Sequence, residues 1–97
     1  LPALLGGFKQ KFPEINIHLK VSNTDAVVKM VEENNIDLGF VEGFVNNKLL
    51  LVEKCSTDHL VAVMPKNHKL ATKKSVSVKD LAKEPFIFRE HGSGTRE

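Results

Sequence analysis

Ile15-Asn16-Ile17-His18-Leu19-Lys20-Val21 runs through Ser22-Asn23-Thr24 into Asp25-Ala26-Val27-Val28-Lys29-Met30-Val31, then past Asn34-Asn35 into Ile36-Asp37-Leu38-Gly39-Phe40-Val41. In the first stretch Ile15, Ile17, Leu19 and Val21 alternate with polar residues, the period of a strand with one buried face. In the second, Val27, Met30 and Val31 fall at helical spacing behind residues whose side chains cap helix starts. The third is a short apolar run that reads as another strand. No hairpin turn separates these pieces, so the two strands are expected to lie parallel, joined by a helical crossover. The fold class read from this unit is α/β.

Outward from it, Leu1, Leu4, Leu5, Phe8 and Phe12 repeat at helical spacing. Pro13 ends that helix by steering Phe12 out of the helical region. Gly6 and Gly7 each cost about 1 kcal/mol in a helix interior, which implies close packing against another element or a frayed helix. On the other side, Glu42 to Lys48 is a polar loop just past the carboxyl end of the second strand. Leu49 to Lys54 and His59 to Met64 read as further strands, and Pro65 stops the latter. Ser77 reads as the cap of a short helix through Leu81 and Ala82. Phe86-Ile87-Phe88 is one more strand, feeding Arg89-Glu90-His91-Gly92-Ser93-Gly94-Thr95-Arg96 with a helix expected to open there. A last strand without a successor implies an unfinished unit.

The 97 residues suffice for one small domain and not for two independent cores. Lys+Arg is 14 against 12 for Asp+Glu, so the near-even balance makes no general case for nucleic-acid binding. With 41% hydrophobic and 27% charged residues, a disordered tail is excluded. Leu49 to Val52 and Leu60 to Met64, the longest apolar runs, fall far short of a membrane span. The single cysteine, Cys55, excludes an internal disulfide framework and a multi-cysteine zinc site, and His18, His59, His68 and His91 are too scattered for metal ligation. No metal and no cofactor are therefore expected. Leu1-Pro2 opens the chain without a basic-then-apolar leader, so no export signal is read. Residues 1–64 carry six basic and eight acidic side chains, and residues 65–97 eight and four, so the sign changes at Pro65 as at a lobe boundary.

Two places have the character of an anion or polar-ligand site. One is Ser22-Asn23-Thr24 at the start of the central helix, the other Gly92-Ser93-Gly94-Thr95 after the last strand. Helix starts offer unpaired N–H groups and the positive end of the helix dipole, and open α/β sheets bind ligands beyond the carboxyl ends of their strands. Plain helix capping accounts for Thr24 and Ser93 equally well on local sequence alone. Arg96 has the charge to neutralise a carboxylate, although surface arginines are common. No catalytic constellation is found. His91-Gly92-Ser93-Gly94 lacks the Gly-x-Ser-x-Gly elbow, and Gly94-Thr95-Arg96 lacks the Gly-Lys-Ser/Thr ending of a phosphate loop.

Leu1-Pro2-x-Leu4-Leu5-x-x-Phe8, Phe12-Pro13-x-Ile15 and Ile36-Asp37-Leu38-Gly39-Phe40 together resemble the effector-binding domain of LysR-type transcriptional regulators. So do Leu60-Val61-Ala62-Val63-Met64-Pro65, Asn67-His68-x-Leu70-Ala71, and Val78-x-Asp80-Leu81 through Pro85-Phe86-Ile87 to Gly92-Ser93-Gly94-Thr95-Arg96. The resemblance covers essentially the whole chain in order. Its Arg89-Glu90 to Arg96 ending is most similar to the branch holding regulators of cysteine biosynthesis and carbon-fixation operons.

The resemblance implies a type II periplasmic-binding-protein-like fold of two α/β lobes around a cleft. Residues 1–58 would form most of the first lobe, 59–65 a crossover strand, and 66–97 the start of the second. The first strand and most of the second lobe would be missing. It further implies that a small anionic or polar effector binds in the cleft through Asn23, Thr24, Glu42, Ser93 and Thr95. Glu42 would repel an anion, so it binds an amine or orders a loop instead. Leu1, Leu4, Leu5 and Phe8 would line a dimer interface, within a homodimer or tetramer. DNA would be read only by an N-terminal domain absent from this chain, in a cytoplasmic protein without membrane contact and without enzymatic activity. A solute-binding protein of a transporter, sharing the two-lobed fold, is the alternative.

Overall fold

The computed structural model describes residues 1–97, and it contains three helices: α1 (Pro2–Lys11), α2 (Thr24–Glu32) and α3 (Val78–Leu81). Each stands where a local signal placed it. Pro2 opens α1, where the missing N–H costs nothing. Phe12, ahead of Pro13, leaves the helical region at φ −131°, ψ 71°. The Lys9 ammonium then donates to the carbonyls of Pro13 (2.6 Å) and Ile15 (2.7 Å), folding the following chain back on the helix end.

α2 begins with the Asn23 side chain accepting from the Ala26 amide at 3.0 Å. It ends with Asn34 at φ +57°, a left-handed conformation that Asn tolerates better than most residues. The Asn34 amide reaches back to the Val31 carbonyl and the Asn35 amide to the Met30 carbonyl, the paired bonds of a Schellman ending. α3 carries a full capping box, in which Ser77 accepts from the Asp80 amide and the Asp80 carboxylate accepts from the Ser77 amide and hydroxyl. These Ser77 bonds, helped by Lys73, hold the Asp80 carboxyl below its usual range. Glu84 does similar work for residues 66–74, pairing with Lys69 (2.6 Å) and lying 3.4 Å from His68 Nε2. The Lys69 hydrogen bond leads the causes that hold Glu84 below the ordinary carboxylate range.

The segments read as strands do not pair. No backbone hydrogen bond joins any two of Ile15–Val21, Ile36–Val41, Leu49–Lys54, His59–Met64 and Phe86–Phe88, and the helices do not pack on one another. Only Val27 and Leu70 form a buried apolar core, while Val21, Leu51, Val63 and Ile87 are each at least 89% exposed. The physical reason is that a ladder gains its stability from partners covering its apolar face, and alternation names the face without supplying the cover. The helix expected at Ser93 is absent too. Residues 91–96 form turns, closed by the Ser93 amide bond to the Glu90 carbonyl and the Arg96 amide bond to the Ser93 carbonyl, and two isolated turn bonds do not offset the cost of nucleating a helix. Nothing packs on Gly6 or Gly7, so the chain itself supplies no neighbour for that pair. Leu1, Leu4 and Phe8 are exposed and Leu5 half-buried, an apolar stripe without a cover.

The resulting shape is long, 53 × 32 × 19 Å, with a radius of gyration of 18.0 Å. A packed domain of this length would measure about 12–13 Å. Fixing each backbone residue costs about 1–2 kcal/mol, whereas each buried aliphatic side chain returns about 1.5–3, so two such side chains cannot hold the chain rigid. Expressed alone, the chain is expected to bind anilinonaphthalene sulfonate and to melt without a cooperative heat-absorption peak. A sharp calorimetric transition would contradict that expectation.

Candidate functional site

The start of α2, the loop at Glu42 and the turn at residues 92–95 meet, although they are far apart in sequence. The Thr24 hydroxyl donates to the Glu42 carbonyl (3.1 Å) and accepts from the Gly94 amide (3.1 Å). The Asp25 amide donates to the Gly92 carbonyl at 3.0 Å, and the Thr95 hydroxyl donates to the Glu42 carboxylate. Glycine makes the approach feasible. Gly92 sits at φ +85°, and a Cβ there would lie 2.7 Å from an Asp25 carboxylate oxygen. A Cβ on Gly94 would fall 2.0 Å from the Glu42 carbonyl oxygen, so any side chain would force these loops apart.

Between them lies a cavity of about 180 Å³, lined by Ser22, Asn23 and Thr24 on one side and by Phe40, Val41 and Glu42 on another. Arg89, Ser93 and Thr95 complete the wall. Only Phe40 and Val41 are apolar, and the volume is below the roughly 300 Å³ at which drug-sized sites begin. The space suits a compact polar molecule.

All five residues proposed from sequence for ligand contact, Asn23, Thr24, Glu42, Ser93 and Thr95, line this one cavity. Their hydrogen bonds differ. Asn23 is spent on capping α2, and Thr24 on bridging the loops. The Thr95 hydroxyl is bound to the Glu42 carboxylate. Ser93 is only 3% exposed, its hydroxyl makes no hydrogen bond within the chain, and no sealed side-chain polar atom lacks a partner. The Ser93 hydroxyl therefore still opens onto the cavity. Of the first four amides of α2, those of Asp25, Ala26 and Val27 are bonded, and that of Thr24 is not.

Arg89 was not among the expected site residues, although a basic side chain three residues ahead of Gly92 was the available signal. Its guanidinium donates twice to Glu90, through Nε and Nη2 at 2.9 Å each. Glu90 raises the Arg89 pKa, with a smaller push from the charge of Glu42. The Arg89 hydrogen bond in turn lowers Glu90 to about 2, with a contribution from Asn23. Arg96 does not line the cavity. It donates to the Arg89 carbonyl at 2.9 Å and lies 5.8 Å from the Phe88 ring centre, so its role here is to brace the turn.

Over residues 1–97 the sequence matches the LysR substrate binding domain family. It is 37% identical over 97 residues to the HTH-type transcriptional regulator CysL of Bacillus subtilis, covering 100% of this chain and 32% of that protein. It is 34% identical over 96 residues to the RuBisCO operon transcriptional regulator of Allochromatium vinosum, covering 99% and 32%. The HTH-type transcriptional activator CmpR of Synechocystis is likewise 34% identical over 96 residues, with 99% and 32% covered. The chain thus spans about a third of the length of these curated relatives. The branch read from Arg89-Glu90 to Arg96 is represented among them. No solved structure matches.

Glu90 is expected to keep its charge down to about pH 2 in a carboxyl-detected NMR titration, and Arg89→Gln to return it toward its ordinary 4.5. Because its folded value is depressed, the pair's contribution is complete above the ordinary value and fades as pH falls toward the folded one. A wild-type Glu90 titrating in the ordinary range would contradict the pairing.

Proposed function

The chain belongs to the LysR substrate-binding domain family, and from that premise we propose that its cavity is the effector site of a transcriptional regulator. The carrying observation is the convergence of Asn23, Thr24 and Glu42 with Ser93 and Thr95, from two distant stretches of chain, on one small polar space. The family match implies a type II periplasmic-binding-protein-like architecture. Within it, residues 1–58 belong to one lobe, 59–65 to a crossover strand and 66–97 to the other lobe. The effector is a small anionic or polar metabolite. The role is binding and signalling, without a catalytic step.

The mechanism is linkage. A ligand bridging Thr24 and Ser93 favours the arrangement in which the two stretches approach, by its differential affinity for that state. The exposed stripe of Leu1, Leu4, Leu5 and Phe8 on α1 serves as a subunit interface, which carries the change through a homodimer or tetramer to DNA-binding domains. The protein acts in the cytoplasm, and no helix is long and apolar enough to cross a membrane. The named relatives are transcriptional regulators, which favours this reading over an exported solute-binding protein.

In the complete protein, Ser93→Ala is expected to weaken effector binding about tenfold, the worth of a hydrogen bond to a charged group. Thr24→Ala is expected to weaken it as well, by releasing the hydroxyl bridge that holds the Glu42 and Gly94 loops around the cavity. Unchanged affinity in both variants by calorimetry would refute the cleft assignment. The reading frame ahead of Leu1 is expected to encode a helix-turn-helix, and a basic-apolar leader there would point to the solute-binding protein instead.

A further inference from the structure

The cavity that Ser93 lines is also lined by Glu42, whose carboxylate is already bound. The Glu42 carboxylate accepts from the Thr95 hydroxyl and lies within electrostatic reach of Arg89. The Glu42 main chain is fixed independently, because its carbonyl accepts from Thr24. On residues lining the same cavity are donors with capacity to spare: the Ser93 hydroxyl, unpartnered in a residue 97% buried, the Thr24 amide, and Arg89 Nη1, which Glu90 leaves unclaimed. Donors from hydroxyls, a backbone amide and a guanidinium make a receptor for a small anion. The acceptor it holds belongs to the same chain.

We propose that Glu42 is an internal competitor, its carboxylate standing where the negative group of a small carboxylate or oxyanion binds, so that such a ligand enters by displacing Glu42 from Thr95. The inference rests on the cavity being the effector site and adds its ligand class and its selector. Displacement frees the Thr95 hydroxyl for the ligand while Thr24 keeps the Glu42 backbone in place. The negative charge of Glu42 sets the affinity threshold, because an incoming anion must overcome both its hold on Thr95 and its repulsion.

The test uses the complete protein, as wild type, Glu42→Gln and Glu42→Ala, titrated with sodium acetate and sodium sulfate at constant ionic strength. Affinity is read by calorimetry, and the amide resonances of Thr24, Ser93 and Thr95 are followed by NMR. At least one of the two anions is expected to bind about fivefold tighter to both variants, the scale of removing one partly screened like charge, and to shift the three amides. Tightening of acetate alone assigns the site to carboxylates, and of sulfate alone to tetrahedral oxyanions. The alanine variant covers the case in which Gln keeps the Thr95 bond. Amide shifts with equal affinity in all three proteins would overturn the competitor role and leave the cleft standing. No shift at these amides with either anion, in any of the three, would overturn the anion cleft itself and this inference with it.

Discussion

The Thr24 hydroxyl donates to the carbonyl of Glu42 and accepts from the amide of Gly94, joining positions 18 and 70 residues away along the chain. Its own place is set one residue earlier, where Asn23 caps α2 and fixes the direction in which the helix begins. The neighbouring Asp25 amide adds a bond to the Gly92 carbonyl. A side-chain hydrogen bond contributes only about 0.5–1.5 kcal/mol net, yet here such bonds are what keeps the two ends of the molecule together. The glycines at 92 and 94 are the counterpart of that arrangement, since backbone-to-backbone approach at these distances leaves no room for a Cβ.

Charge is arranged around this junction with the same economy. Arg89 and Glu90 are sequence neighbours locked by two parallel bonds, which fixes the guanidinium plane beside the cavity. Because both are exposed, the pair is screened by water and contributes orientation more than stability. Glu42 carries the remaining negative charge at the wall. Its carboxylate turns toward the hydroxyl of Thr95, while its carbonyl turns toward that of Thr24. One residue thus links both hydroxyl-bearing walls, through main chain on one side and side chain on the other.

What the sequence made legible divides along the range of the interactions. Helix ends are written locally: Asn23, Ser77, Pro13 and the Asn34-Asn35 pair each act within a few residues, and α1, α2 and α3 begin and end beside them. The segments Ile15–Val21 and Phe86–Phe88 carry an apolar signal just as clear, but its realisation depends on partners elsewhere, and here they stay unpaired. Ser93 was a candidate helix start and proves to be a turn residue, because capping chemistry is shared by both. The candidate site was marked by polar side chains at two expected helix starts, Asn23 and Thr24 in one and Ser93 and Thr95 in the other, and Glu42 by the family resemblance. The position of Arg89 was not, since its placement follows from the pairing with Glu90 and the bracing by Arg96, neither of which has a periodic signature.

That division bears on how the cavity is built. Sheet formation needs burial, and burial in this chain amounts to Val27 and Leu70. The junction of Thr24, Glu42 and Gly94 needs only donors, acceptors and the absence of side chains at two glycines. Val27 connects the two levels, for its Cγ1 lies so near Gly39 that a Cβ there would sit 2.7 Å away. The residue that anchors α2 against the Ile36–Val41 segment therefore also holds that segment in line for Glu42 to reach Thr24. The geometry of the site is in this way set by α2, whose amino end carries the polar contacts and whose buried face carries the apolar one. Covering the exposed apolar surface would add rigidity to an arrangement that the helix start already specifies.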